Sequence, residues 1–241
     1  MDRFDEICKA LHLAHVPSIV ELRGEPQTVC LLSEILQGEL DKRELSKKLR
    51  FTKLAKFPSE KRLEEYEWHR NIQLPSSSTK EELISLDFIR NKENAVFVGA
   101  PGTGKTHLAT ALGIKACEEG YETRFWRVSE LVSELEKAWK KQQIHSLRKK
   151  FDKVRLIILD EMGYVPFTKE GSELLFQLIS EWYETKSVII TSNLEFSSWN
   201  KVFIDPRLTA ALVDRLIHHA HILSFTGESY RLKNALSKTL K

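Results

Sequence analysis

Eight consecutive residues near the middle of the chain have the types and spacing for one chemical task. Gly99-Ala-Pro101-Gly102-Thr103-Gly104-Lys105-Thr106 matches G-x-x-x-x-G-K-[ST] at every fixed position. Glycines let such a loop curl until successive backbone N–H groups face inward, toward phosphate oxygens. A helix starting near Lys105 adds its positive dipole end at the same place. The loop is therefore expected to hold the phosphates of a nucleoside triphosphate. Lys105 would carry charge to the β and γ oxygens, and the Thr106 hydroxyl would ligate Mg2+.

Two further strand ends carry polar residues. In Arg155-Leu-Ile-Ile-Leu-Asp160-Glu161, four apolar residues bury a strand and Asp160 emerges at its C-terminal end, where ligands bind in parallel sheets. Its carboxylate suits Mg2+ held through water, and Glu161 beside it is placed to act as general base toward an attacking water. Val188-Ile-Ile-Thr191-Ser192-Asn193 has the same form, and the Asn193 amide is expected to orient water beside the γ-phosphate.

The elements that must position these residues follow an alternating pattern. Short apolar runs at 95–98, 123–128, 154–159, 187–191 and 221–225 read as strands. Helical patterns between them cover 105–119, a segment N-capped by Ser129, 169–184 and 208–219, with Gly120 placed as a C-cap. Continuous apolar strands imply a parallel sheet covered by helices on both faces. Residues before 75 read instead as polar helices, with Gly24-Glu25-Pro26 as a break and Leu31, Leu32, Ile35, Leu36 and Leu40 at helical spacing. The run Leu74-Pro75-Ser76-Ser77-Ser78 reads as a linker, so a helical domain at 1–75 and an α/β domain at 76–241 are expected.

Charge is unevenly distributed. The net charge is only +3, yet Lys42–Arg62 holds nine basic residues against two acidic ones, and Lys137–Arg155 holds eight against one. Two such stretches point to a polyanion partner. Lys140, Lys141, Arg148, Lys149, Lys150, Lys47, Lys48, Arg50 and Lys53 are the expected DNA contacts, made to backbone phosphates and so largely independent of sequence. Trp139, inside the second stretch, reads as a core residue. Three scattered cysteines without C-x-x-C spacing imply neither disulfides nor a zinc site and fit a reducing cytoplasm. No apolar run is long enough to span a membrane. His218, His219 and His221 cluster, but with no carboxylate at ligand spacing they read as a helix end, not a metal site.

The succession of phosphate loop, added strand, Asp160-Glu161 and Asn193 resembles the AAA+ ATPases, an ASCE-type P-loop NTPase architecture. More narrowly, Leu159-Asp-Glu-Met-Gly163, Leu212-Val-Asp-Arg215-Leu-Ile-His-His219, Gly227-Glu-Ser-Tyr-Arg231 and His107-Leu-Ala109 resemble the IstB family of insertion-sequence helper ATPases and the related DnaC helicase loaders. The resemblance implies ATP and Mg2+ as cofactors, His107 beside the nucleotide, and Arg215 as an arginine finger reaching a neighbouring subunit's ATP. It implies Arg231 as a sensor of the chain's own nucleotide, although too little chain follows for a full C-terminal lid domain. It also implies homo-oligomers on duplex DNA, a transposase partner, and hydrolysis that disassembles the complex. A helicase loader and a small-molecule P-loop kinase are the rival readings. The first would favour single strands and a helicase partner, and the second would turn over without regard to DNA.

Overall fold

The computed structural model describes residues 2–23, 25–68, 72–75, 79–164 and 166–230. The chain divides into two compact units, Met1–Arg50 and Phe51–Lys241. The division falls well before the boundary near residue 75 that linker composition indicates. The physical reason is packing: Phe57, Leu63, Tyr66 and Trp68 join one apolar cluster of the second unit, although they precede the proline and serines. Ser76–Ser78 themselves lie outside the described residues.

The first unit is helical, with α1 (Asp2–Ala10), α2 (Val16–Arg23) and most of α3 (Pro26–Ala55). Leu31, Ile35, Leu45 and Leu49 do follow helical spacing along α3, but all four are exposed. Among the described residues no helix is long and apolar enough to cross a membrane.

The second unit runs β1 (Ile72–Gln73), α4 (Lys80–Ser85), α5 (Asp87–Arg90), β2 (Asn94–Gly99), α6 (Lys105–Glu118), β3 (Thr123–Arg127) and α7 (Val128–Lys140). It continues with α8 (Ile144–Lys149), β4 (Leu156–Met162), α9 (Lys169–Trp182), β5 (Ser187–Ser192), a 3-10 turn at Phe196–Lys201, α10 (Pro206–Ile217) and β6 (Ala220–Phe225). The sheet order is β1-β6-β2-β5-β4-β3, parallel throughout except for the short antiparallel β1. β5 thus separates the strand leading to the glycine loop from the strand carrying Asp160.

Alternation along the strands builds two apolar layers. Val96, Ile157, Leu159, Val188 and Ile190 face α7, α9 and α10, through Leu131, Leu135, Leu175, Leu178, Trp182 and Leu212. Ala95, Phe97, Leu156, Ile158 and Ile189 face the other way, against Leu108 and Leu112 of α6 and Phe88 of α5. Local signals set the ends. Thr79 and Glu82 form a reciprocal capping box that starts α4. Asp205 Oδ1 accepts from the Arg207 and Leu208 backbone N–H groups, with Pro206 as the first helical residue, so α10 begins two residues earlier than its apolar pattern. α7 also begins earlier, at Val128 after Arg127, and Ser129 is not its cap.

Candidate functional site

The glycine loop connects β2 to α6, as its spacing requires. Gly102 adopts φ of 81°, and a Cβ built there would lie 2.2 Å from Ser229 Oγ. The position therefore demands glycine twice over, for its backbone and for its neighbour. The Tyr230 N–H donates to the Gly102 carbonyl at 3.0 Å, so the segment after β6 lies directly on the loop. Lys105 is buried, and its ammonium donates to the carbonyls of Gly99 and Ala100, both at 2.7 Å.

β4 delivers the acidic pair. Asp160 is only 3% exposed, and its Oδ1 accepts from Thr106 Oγ1 at 2.8 Å and from Thr191 Oγ1 at 2.5 Å. The Thr191 oxygen in turn accepts from the Glu161 backbone N–H at 3.0 Å. Register between β4 and β5 jumps from Leu159↔Ile190 to Met162↔Ser192, which inserts one extra residue on β4. Glu161 takes up that bulge with φ of 61°, a left-handed conformation costly for a side-chain-bearing residue. Two consecutive carboxylates are thereby split. Asp160 stays buried, whereas Glu161 is half exposed, with Oε2 3.9 Å from Arg127 Nε.

These groups line a cleft of about 570 Å3, with Gly102, Gly104, Lys105, Thr106 and His107 on one side and Arg127, Asp160 and Glu161 on another. Lys61, Glu65, Tyr66 and Tyr230 are also among its lining residues. The Tyr66 and His107 rings meet edge to face, 5.2 Å apart. His107 Nε2 is buried and has no hydrogen-bond partner among the described residues. Burial, and then the positive charge of Lys61, hold His107 below its ordinary value, with Glu65 opposing. Burial, and then Tyr230, push the Tyr66 hydroxyl up.

The expected site residues divide accordingly. Gly102, Gly104, Lys105, Thr106, His107, Asp160 and Glu161 come together at the cleft, while Gly99, Pro101 and Thr103 shape the loop without lining it. Asn193 is exposed, two residues beyond Thr191, and does not line the cleft. Thr191, which the sequence offered only as part of a strand end, is the residue bonded to Asp160. Arg215 does not line the cleft either. Its guanidinium donates to Ser180 Oγ at 2.8 Å and stacks 4.8 Å from the centre of the Phe176 ring, both on α9. Arg231 lies outside the described residues.

Lys140, Lys141, Lys149 and Lys150 are exposed at the C-terminal ends of α7 and α8. Arg148 is engaged otherwise, with Nη1 2.7 Å from Glu181 Oε1 and Nη2 donating to Gln177 at 2.9 Å. Trp139 is not a core residue, since half of it is exposed beside these lysines. Lys47, Lys48 and Arg50 belong to the first unit, and Lys53, exposed, belongs to the second.

Thr191, Arg127 and Tyr66 were missed. The first two sit where strands of a parallel sheet end, a signal that singles out such positions. Tyr66 carries no sequence signal, because its segment precedes the apparent linker.

The profile of the IstB-like ATP binding protein family matches residues 22–238. The ATP-binding protein of insertion sequence IS232 from Bacillus thuringiensis subsp. berliner is 37% identical over 93% of this chain and 90% of its own length. That of insertion sequence IS21 from Pseudomonas aeruginosa is 36% identical over 93% of this chain and 86% of its own. Among solved structures, the DnaC helicase loader superposes with a TM-score of 0.54 at 23% identity, covering 68% of this chain and 96% of that one. That likeness concerns the fold.

Proposed function

The chain belongs to the family of IstB-like ATP binding proteins, and from that premise we propose that it is a DNA-dependent ATPase that assists transposition. The observation that carries the hydrolytic part is the bonded set Thr106–Asp160–Thr191–Glu161 at the cleft. Thr106 and Asp160 present only oxygen ligands, which suit Mg2+. When bound there, Mg2+ would neutralise charge on the β- and γ-phosphates. Lys105, already held among loop carbonyls, transfers its donors to phosphate oxygens. His107 Nε2 gains a polar partner from the nucleotide. Glu161 accepts the proton of the water that attacks the γ-phosphorus, and ADP and phosphate leave.

Arg215 acts on a neighbouring subunit's ATP in this reading. Arg215 does not line the chain's own cleft, which fits that role, since a cation delivered only on assembly links hydrolysis to oligomerisation, with about 10³–10⁵ in rate. Arg231 serves the chain's own nucleotide. Subunits oligomerise on duplex DNA through Lys140, Lys141, Lys149 and Lys150, with Arg148, Lys47, Lys48, Arg50 and Lys53 adding positive charge. They present that DNA to the transposase, and hydrolysis disassembles the complex.

The test measures ATP turnover with and without duplex DNA, and DNA affinity for a variant with Lys140, Lys141, Lys149 and Lys150 all changed to Glu. The variant should bind ATP and lose DNA at ~100 mM salt. Unchanged DNA affinity removes the assigned surface, and turnover indifferent to DNA replaces the reading with a small-molecule kinase. Preference for single strands together with capture of a replicative helicase replaces it with a loader.

A further inference from the structure

Outside the cleft, one group of three metal-ligating side chains comes together among the described residues. Glu184, His218 and His219 each offer a ligand atom, and these atoms lie within 4.8 Å of one another. The sequence hides the group, because the carboxylate precedes the two imidazoles by thirty-four and thirty-five residues. The fold assembles it from two helix ends. α9 stops at Trp182, and Glu184 follows in a left-handed conformation with φ of 56°. α10 stops at Ile217, with His218 as its capping residue. α9 and α10 pack against each other, so both C-terminal ends face one small region. The negative end of the helix dipole favours a cation at each of them.

The ligands are also oriented. The Tyr183 hydroxyl lies 2.8 Å from His218 Nδ1, which leaves Nε2 as the nitrogen for an outside ligand. A polar partner on the second ring nitrogen is how metal-ligating imidazoles are commonly fixed. The His218 and His219 rings are 4.1 Å apart. His221 is not part of the group, since its Nε2 lies 2.9 Å from Glu93 Oε2.

A helix-end role alone calls for one imidazole, not for two imidazoles and a carboxylate converging with one ring already tethered. All three side chains are exposed, so an ion reaches them without unfolding. We propose that Glu184, His218 and His219 form a binding site for a divalent transition metal of the Zn2+ class, with a fourth position open. Two imidazole nitrogens and one carboxylate oxygen are a ligand set that zinc takes with an added water or outside group. The bound ion ties the end of α9 to the end of α10. It also steadies the start of the central strands, because the His219 carbonyl accepts from the Asn94 N–H at 2.7 Å and β6 begins at Ala220. This site does not depend on the transposition reading.

The experiment titrates the chelator-treated full chain, free of nucleotide, with Co2+ and then Zn2+, following visible absorption and thermal stability. The wild type should take up Co2+ with a nitrogen–oxygen coordination spectrum that Zn2+ displaces, and its melting temperature should rise with Zn2+. Glu184→Ala, His218→Ala and His219→Ala should each weaken binding about tenfold or more, and Tyr183→Phe by a smaller factor. Thr106→Ala, which alters the phosphate-loop site, should bind Co2+ as the wild type does. An unchanged spectrum and stoichiometry in the His218→Ala/His219→Ala double variant, with its circular dichroism intact, would overturn the site. So would absence of uptake by the wild type.

Discussion

Thr106 Oγ1 donates to Asp160 Oδ1 at 2.8 Å across fifty-four residues of sequence. The two groups approach only because β2 and β4 end at the same edge of the sheet with β5 between them. That intervening strand supplies the third member, Thr191, whose hydroxyl donates to the same carboxylate oxygen while accepting from the Glu161 N–H. One hydroxyl on β5 thus positions both acids of β4.

Thr191→Val keeps the side-chain shape and removes both bonds. ATP hydrolysis should fall by about 10²-fold, the scale of a small misplacement of catalytic groups. Nucleotide affinity should change far less. A fluorescent-nucleotide titration beside a turnover assay checks the split, and equal losses in both would deny Thr191 its positioning role.

Gly102→Ala places a methyl group on Ser229 Oγ and demands a left-handed backbone of alanine. Nucleotide binding should weaken sharply. The added change Ser229→Gly relieves the clash but not the backbone strain, so recovery in the double variant should be partial. Full recovery would mean that the loop's φ is not restrictive.

Asn94 ties three elements together at the base of the sheet. Its side chain accepts from the Val188 N–H at 3.0 Å and donates to the Leu216 carbonyl at 3.1 Å, both buried. Asn94→Ala leaves two buried backbone groups unsatisfied and should cost about 2–4 kcal/mol in denaturant unfolding. Asn94→Asp keeps the acceptor but loses the donor to Leu216, and should also destabilise.

Arg148 pairs with Glu181 and Gln177, whereas Lys149 and Lys150 are exposed at the end of α8. Arg148→Ala should therefore lower DNA affinity less than Lys149→Ala/Lys150→Ala. The salt dependence of binding should become shallower for the lysine pair, by roughly one unit of slope for each DNA phosphate that is no longer neutralised.

His107 is held below its ordinary value of 6.5, first by burial and then by Lys61. Below that value the unfolded chain takes up a proton that the folded chain resists. The stability this group contributes is therefore present above pH 6.5 and is lost as pH falls toward the depressed folded value. Unfolding measured between pH 7 and 5 (an interval of about two units around the ordinary histidine value) should show a weaker decline for His107→Gln. An unchanged slope would place the titration elsewhere.

The sequence by itself determined the five parallel strands, most of the helices between them and much of the chemistry. Gly99–Thr106 must be a phosphate loop because glycine spacing and a following helix are local properties, fixed within a few residues. The burial of Ile157, Ile158 and Leu159 was equally legible, since a continuous apolar run has no solvated face. The helices at Lys105 and Lys169 announced themselves by local pattern in the same way.

Only the tertiary structure decided which residues meet. Thr191 bonds to Asp160 because the register that pairs Leu159 with Ile190 carries on to set Asp160 beside Thr191, and register is a pairing between distant segments. Arg148, indistinguishable from its basic neighbours in sequence, is taken by Glu181 on a helix that arrives later in the chain. Tyr66 belongs to the cleft although a linker seems to separate it, since packing area rather than linker composition fixes where a unit begins. Glu184 joins His218 and His219 for the same reason: two helix ends converge only once the sheet has stacked α9 beside α10.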